Sequence, residues 1–156
     1  MSVIDYLKQF KTVNFLGSYF MIVNKENGMV LNVSSNGKVM LQNEPNQTVI
    51  EISGYSQLWF WDGAYLRSKV AEVNNKKKVL GCSGNQVVYK ELQNTGNNQK
   101  WYMKNGKLVN KGTEYVLDVS KDDNQVICGK GVSTSSFIST NLNSPFWFFE
   151  NVESIG

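Results

Sequence analysis

The sequence predicts an all-β protein closed by pseudo-threefold symmetry, with twelve strands, six in a barrel and six in hairpins that cap one end. Three observations predict it. Helix signals almost vanish after the first ten residues, and the chain becomes short β-rich runs separated by Gly, Asn and Asp. A motif built on Val-Leu recurs three times, at Leu31, Leu80 and Leu117. A Trp-bearing run follows each copy, at Trp59, Trp101 and Trp147, so the repeat is roughly 40 to 50 residues long. Propellers usually need four or more blades, which leaves closure about a threefold axis.

The elements follow in order. Residues 1–17 form a lead-in. Ser2 and Asp5 make a helix-capping pattern, and Val3, Ile4, Leu7 and Phe10 could form one apolar face of a short helix. The repeated part, residues 18–156, reads as one domain with units at about 18–63, 64–106 and 107–152. The first unit holds "YFMIV", "MVLNV" and "KVMLQ". The second holds "YLRSKV", "KVLGC" and "QVVYK". The third holds "YVLDV" and "QVICG". Asp62-Gly63 and Asn105-Gly106 mark tight hairpins, because both central residues of a type I′ turn need positive φ. These turns join the Trp strand of one unit to the first strand of the next. The three Leu and three Trp then form a shared core, each contributing roughly 1.5–3 kcal/mol on burial.

Composition excludes several classes. The 156 residues carry 16 basic and 13 acidic side chains, a net charge of +3, with no long basic block. Neither nucleic acid nor membrane attraction is indicated. Lys76-Lys77-Lys78 reads as a solvated hairpin tip. No stretch approaches the roughly 18 apolar residues of a membrane span. The N-terminus has no apolar signal-peptide core, so a cytoplasmic protein is the default, with nonclassical secretion compatible. The two Cys, Cys82 and Cys128, allow one bridge, but two buried thiols are the favoured reading.

His is absent, which removes the commonest general acid/base and the usual zinc ligand. Asp122-Asp123 lacks the spaced oxygen ligands of a calcium loop. No enzyme, no cofactor and no metal are expected.

The residues Val-Leu-x-[Val or Cys], a turn, a strand and then Gln-x-Trp resemble the ricin B-type β-trefoil, the R-type lectin family. Gln57-Leu58-Trp59 and Gln99-Lys100-Trp101 look like two intact QxW motifs. Pro145-Phe146-Trp147 holds the third slot without its Gln. The resemblance covers about residues 18 to 152. It implies a β-trefoil and, in each unit, a shallow site for galactose or GalNAc. In such a site an Asp binds the sugar hydroxyls, an aromatic stacks on the ring, and an Asn beside QxW completes the hydrogen bonds. Carried onto this chain, the Asp position is Asn32, Gly81 and Asp118 in turn. Asn98 and Gln99 stand in place in the second unit, Ser56 and Gln57 in the first, and Ser144 and Pro145 in the third. The stacking position falls near Gln42, Lys90 and Gly129, none of them aromatic. The implied sugar-site residues are therefore Asp118, Asn32, Asn98, Gln99 and Gln57, with no complete set in any unit. Each also has a structural reading: Asp118 as a turn cap, and Gln57 and Gln99 as ties between hairpins.

Glycans or glycoproteins are the expected partners, and a homodimer is compatible. The alternative is a sugar-blind trefoil, a protein-interaction module or protease inhibitor, working through the inserted loops 43–56 and 129–144.

Overall fold

The computed structural model describes residues 19–43, 56–70, 77–93, 96–120, 123–130 and 144–152. The lead-in 1–17 and most of the two inserted loops lie outside the described residues. Among the described residues twelve strands form three sets of four. The first is β1 (Tyr19–Asn24), β2 (Val30–Val33), β3 (Val39–Gln42) and β4 (Trp59–Asp62). The second is β5 (Tyr65–Ser68), β6 (Lys78–Ser83), β7 (Gln86–Glu91) and β8 (Trp101–Lys104). The third is β9 (Lys107–Asn110), β10 (Val116–Val119), β11 (Val126–Gly129) and β12 (Trp147–Val152).

The first and last strands of each set close a six-stranded barrel. β4 pairs with β5, β8 with β9, and β12 with β1, all antiparallel. Within a set, Phe20 pairs with Trp59. In the other two sets Trp101 N–H donates to Ala64 O, and Trp147 N–H to Gly106 O, both at 2.9 Å. The middle strands form the capping hairpins β2–β3, β6–β7 and β10–β11. Ile127 pairs with Gln86 across two of these hairpins, and β3 touches both β7 and β11.

The three Trp and three Leu do converge. Trp59, Trp101 and Trp147 are all buried, and each indole N–H donates to the Leu carbonyl of its own set. Trp59 bonds to Leu31 at 3.0 Å, Trp101 to Leu80 at 2.9 Å and Trp147 to Leu117 at 2.9 Å. A buried donor is costly to leave unpaired, so this bond explains why the indole tolerates the core. Ile22, Leu66 and Leu108, at matching places on β1, β5 and β9, are wholly buried beside them.

Two sequence expectations need correction. The β4–β5 loop is Gly63-Ala64, because Asp62 pairs with Tyr65 inside the ladder. Only Gly63 is left-handed there (φ 63°), which is the type II′ pattern. The β8–β9 loop keeps the expected type I′ form, with Asn105 at φ 53° and Gly106 at φ 79°. The second correction concerns sulfur. Cys82 and Cys128 are buried, but as a disulfide rather than two thiols. They occupy different positions in their hairpins: Cys82 matches Val33 and Val119, and Cys128 matches Leu41 and Tyr89. The cap brings those positions together, with Cα atoms 6.2 Å apart, within bridging range.

β1 also departs from simple alternation, because all six of its residues are buried. Phe20 and Ile22 face the barrel core, while Tyr19, Met21 and Val23 join a second apolar cluster with Val30 and Leu58.

Candidate functional site

The cap hairpins carry the three Asp-equivalent positions, each on the third residue of a four-residue match: Asn32 on β2, Gly81 on β6 and Asp118 on β10. The loop before each Trp strand brings the QxW flank toward them.

In the first set Asn32 is 2 % exposed, and its Oδ1 accepts from Ser56 Oγ at 2.7 Å. Gln57 is buried and donates from Nε2 to Gln42 Oε1 at 2.9 Å. The structure thus unites Asn32, Ser56, Gln57 and Gln42 in the same hairpin-to-loop seam. Its polar groups are spent largely on one another.

In the second set Gln99 is also buried. Its Nε2 donates to Glu91 O at 3.0 Å, and its Oε1 accepts from Gln93 N–H at 2.8 Å. Gln99 therefore ties the end of β7 to the Trp101 loop. Asn98 is exposed, and its backbone carbonyl accepts from Cys82 N–H at 3.1 Å and from Asn110 Nδ2 at 2.7 Å. Gly81 packs closely against the QxW flank: a Cβ there would stand 3.1 Å from both Asn98 O and Gln99 Cγ, so a larger residue requires that flank to give by a few tenths of an ångström.

In the third set Asp118 is 2 % exposed, and its Oδ1 accepts from Val119 N–H at 2.8 Å. Gly129, half-exposed at the end of β11, lies alongside. A Cβ on Gly129 would stand 3.0 Å from Asp118 Oδ2, so the missing side chain leaves that oxygen uncrowded from this direction. Ser144 replaces the Asn of the QxW flank and turns elsewhere. It donates from Oγ to Asn24 Oδ1 at 2.9 Å, and its carbonyl accepts from Asn24 Nδ2 at 3.0 Å.

Asn24 and its counterparts escaped the sequence reading. Asn24, Ser68 and Asn110 end β1, β5 and β9, and all three are wholly buried. Asn110 Oδ1 accepts from the N–H groups of Gly112 and Thr113, as Asn24 Oδ1 does from Glu26 and Asn27. Both Asn thus fix the turn into their own cap hairpin, and their amides reach back to the QxW flank of the preceding set. The signal was available for two of them: Asn24-Lys25 and Asn110-Lys111 each stand seven residues before the repeated Leu, whereas Ser68-Lys69 stands twelve before Leu80.

Away from the cap, Asp62 accepts from Arg67 Nη1 at 3.0 Å and Lys77 Nζ at 3.1 Å. The Lys77 hydrogen bond, with Arg67 beside it, holds the Asp62 carboxyl below the usual carboxylate range. Among the described residues no group of three or more His, Cys, Asp or Glu is placed to hold a metal ion. No helix among them is long and apolar enough to cross a membrane.

The sequence matches no protein-family model and no curated protein. Solved structures do match in shape. The C-half of the earthworm R-type lectin, in complex with GalNAc, superposes with a TM-score of 0.64 at 18% identity, covering 87% of this chain and 100% of that one. The β-trefoil lectin of the Vibrio vulnificus hemolysin/cytolysin, with N-acetyl-D-lactosamine bound, gives 0.61 at 17% identity, covering 85% and 93%. The designed threefold-symmetric protein ThreeFoil gives 0.54 at 20% identity, covering 86% and 99%. Closed barrel, triangular cap and matching indoles agree with these likenesses: the chain has the β-trefoil fold, and it is similar in shape to R-type lectins.

Proposed function

We propose that this chain is a non-catalytic carbohydrate-binding protein, with its site in the third set and galactose or GalNAc as the sugar class. The observation that carries the reading is Asp118 beside Gly129. Of the three equivalent positions, only this one holds a carboxylate, and its neighbour has no side chain to crowd Oδ2. A carboxylate makes charge-assisted hydrogen bonds to vicinal hydroxyls, which fix the orientation of a sugar. The earthworm and Vibrio neighbours, complexed with GalNAc and N-acetyl-D-lactosamine, support the same sugar class. A cytoplasmic protein, or one exported by a nonclassical route, remains part of the proposal.

Burial favours a second reading. Asn32, Gln57, Gln99 and Asp118 are all buried, and each makes at least one internal hydrogen bond. Side chains spent on the fold are what a sugar-blind trefoil retains, with a protein partner meeting other surfaces. A glycan array on the native chain and on Asp118→Asn separates the two. The first reading expects galactose- or GalNAc-terminated glycans to bind and the variant to lose them. Silence on every glycan, with an intact β-rich CD spectrum, would overturn the first and favour the second.

A further inference from the structure

Gln57 and Gln99 perform the same task in the first two sets. Gln57 Nε2 donates to Gln42 Oε1 at the end of β3, and Gln99 Nε2 donates to Glu91 O at the end of β7. Each holds the last residue of a cap strand to the loop before its Trp. In the third set this slot is Pro145, whose ring has no hydrogen-bonding group, so the end of β11 cannot be held in that way. The backbone bond from that loop, Ser144 N–H to Val119 O at 3.1 Å, reaches β10 instead. β11 is held from the opposite side. Ile127 pairs with Gln86, Cys128 N–H donates to Asn85 O at 3.0 Å, and the Cys82–Cys128 bridge joins β11 to β6. The hairpin it leans on is the better anchored of the two. β6–β7 is a ladder of six pairs, against four in β10–β11. Tyr89 Oη accepts from Ser68 N–H of the barrel at 2.9 Å, and Cys82 N–H donates to Asn98 O at 3.1 Å.

We propose that the bridge is a redox latch on the third-set site, a covalent replacement for the missing Gln tie. The latch rests on the carbohydrate reading above. Cys128 is flanked by Ile127, which pairs with Asp118, and by Gly129, whose backbone stands against Asp118 Oδ2. With the bridge closed, β11 is fixed beside the carboxylate. A dithiol reductant opens it. Two electrons break the S–S bond, two protons pass from the reductant to Cys82 and Cys128, and the reductant becomes a disulfide. Both sulfurs are buried, so this exchange proceeds through local opening of the hairpins. The new Cys128 thiol has Gln86 O at 3.6 Å to accept from it, so the reduced form is accommodated. β11 then rests on its backbone bonds to Asn85 and Gln86 and moves more freely against Asp118. In a reducing compartment the latch is open, and in an oxidising one it is closed.

The test is a two-dimensional amide spectrum and a GalNAc titration of the full chain in three states: oxidised, reduced with dithiothreitol, and reoxidised with oxidised glutathione. The Cys82→Ser, Cys128→Ser double variant is run beside it. Reduction is expected to broaden the amides of Val126, Ile127 and Gly129, while Val87, Val88 and Tyr89 stay sharp and the three indole N–H peaks are retained. The apparent Kd for GalNAc is expected to rise about tenfold, as the binding-competent fraction falls to about a tenth. Reoxidation restores both, and the double variant behaves as the reduced chain with or without dithiothreitol. Broadening shared equally by the two hairpins, no broadening, loss of the indole peaks, or equal GalNAc affinity in the two states would overturn the latch. Absence of GalNAc binding in the oxidised chain overturns the carbohydrate reading instead, and the amide comparison still decides whether the bridge holds β11.

Discussion

A Cβ on Gly81 would stand 3.1 Å from Cγ of Gln99, while Gln99 itself is fixed by Glu91 and Gln93. The second set therefore lacks the acid of the proposed sugar site and admits one only if the Asn98–Gln99 flank shifts, even though Asn98 and Gln99 are both present. Gly81→Asp is expected to cost about 1–3 kcal/mol through overpacking and to create no galactose binding. Urea denaturation and sugar titration of the variant check both halves. A stable variant that gains a sugar would show that Gln99 yields more readily than its two hydrogen bonds suggest.

The three indole–carbonyl bonds predict symmetric energetics. Trp59→Phe, Trp101→Phe and Trp147→Phe should each destabilise by about 2–4 kcal/mol, from lost volume and an orphaned Leu carbonyl. Denaturation midpoints of the three variants should lie close together. One variant standing near the native midpoint would mean that its set does not share the core equally.

The Cys82–Cys128 bridge joins the second and third cap hairpins across a separation of 46 residues. In the chain-entropy model a loop of that size corresponds to about 4 kcal/mol. Cys82→Ser with Cys128→Ser should lower the thermal midpoint clearly, and a reductant should lower that of the native chain but not of the double variant. Equal midpoints with and without reductant in the native chain would count against the bridge.

How far the sequence could be read follows from what repeated. The barrel, the cap and the three indoles were legible because Val-Leu and the Trp recur in register, and burial demands large apolar side chains at symmetric places. The disulfide was not legible, because Cys82 and Cys128 occupy non-equivalent positions that meet only in the folded cap. The Asn24, Ser68 and Asn110 seam was overlooked because buried polar residues look like ordinary turn formers when read along the chain. The candidate site residues could be located on their hairpins but not weighed. Nothing in Gln99 or Asn32 as letters reveals that their amides are spent on Glu91 and Ser56.

That buried seam carries its own expectation. Asn110→Ala removes the bond to Asn98 O and the acceptor for the Gly112 and Thr113 amides. A loss of about 2–3 kcal/mol is expected, since buried groups are left unsatisfied. Hydrogen exchange should quicken at Gly112 and Thr113 first, and unchanged exchange there would contradict the assignment.

Asp62 predicts a small pH dependence of fixed sign. Its pKa is lowered in the fold by Lys77 and Arg67. Its contribution is therefore complete above the unfolded value near 4 and is lost as pH falls through the lower folded value. The carboxylate is partly exposed (36%), so solvent screening keeps the effect within about 1 kcal/mol. Comparing acid titrations of native and Asp62→Asn stability should show the difference shrinking below pH 4 or so. A difference that grows on acidification would contradict it.

The most direct test of the carbohydrate reading is a two-dimensional NMR titration of the full chain with GalNAc. The account predicts saturable amide shifts at Asp118, Val119 and Gly129, with Gly81 and Asn32 unmoved. Amides that stay still up to high sugar concentration, or that move only outside the third set, would contradict it.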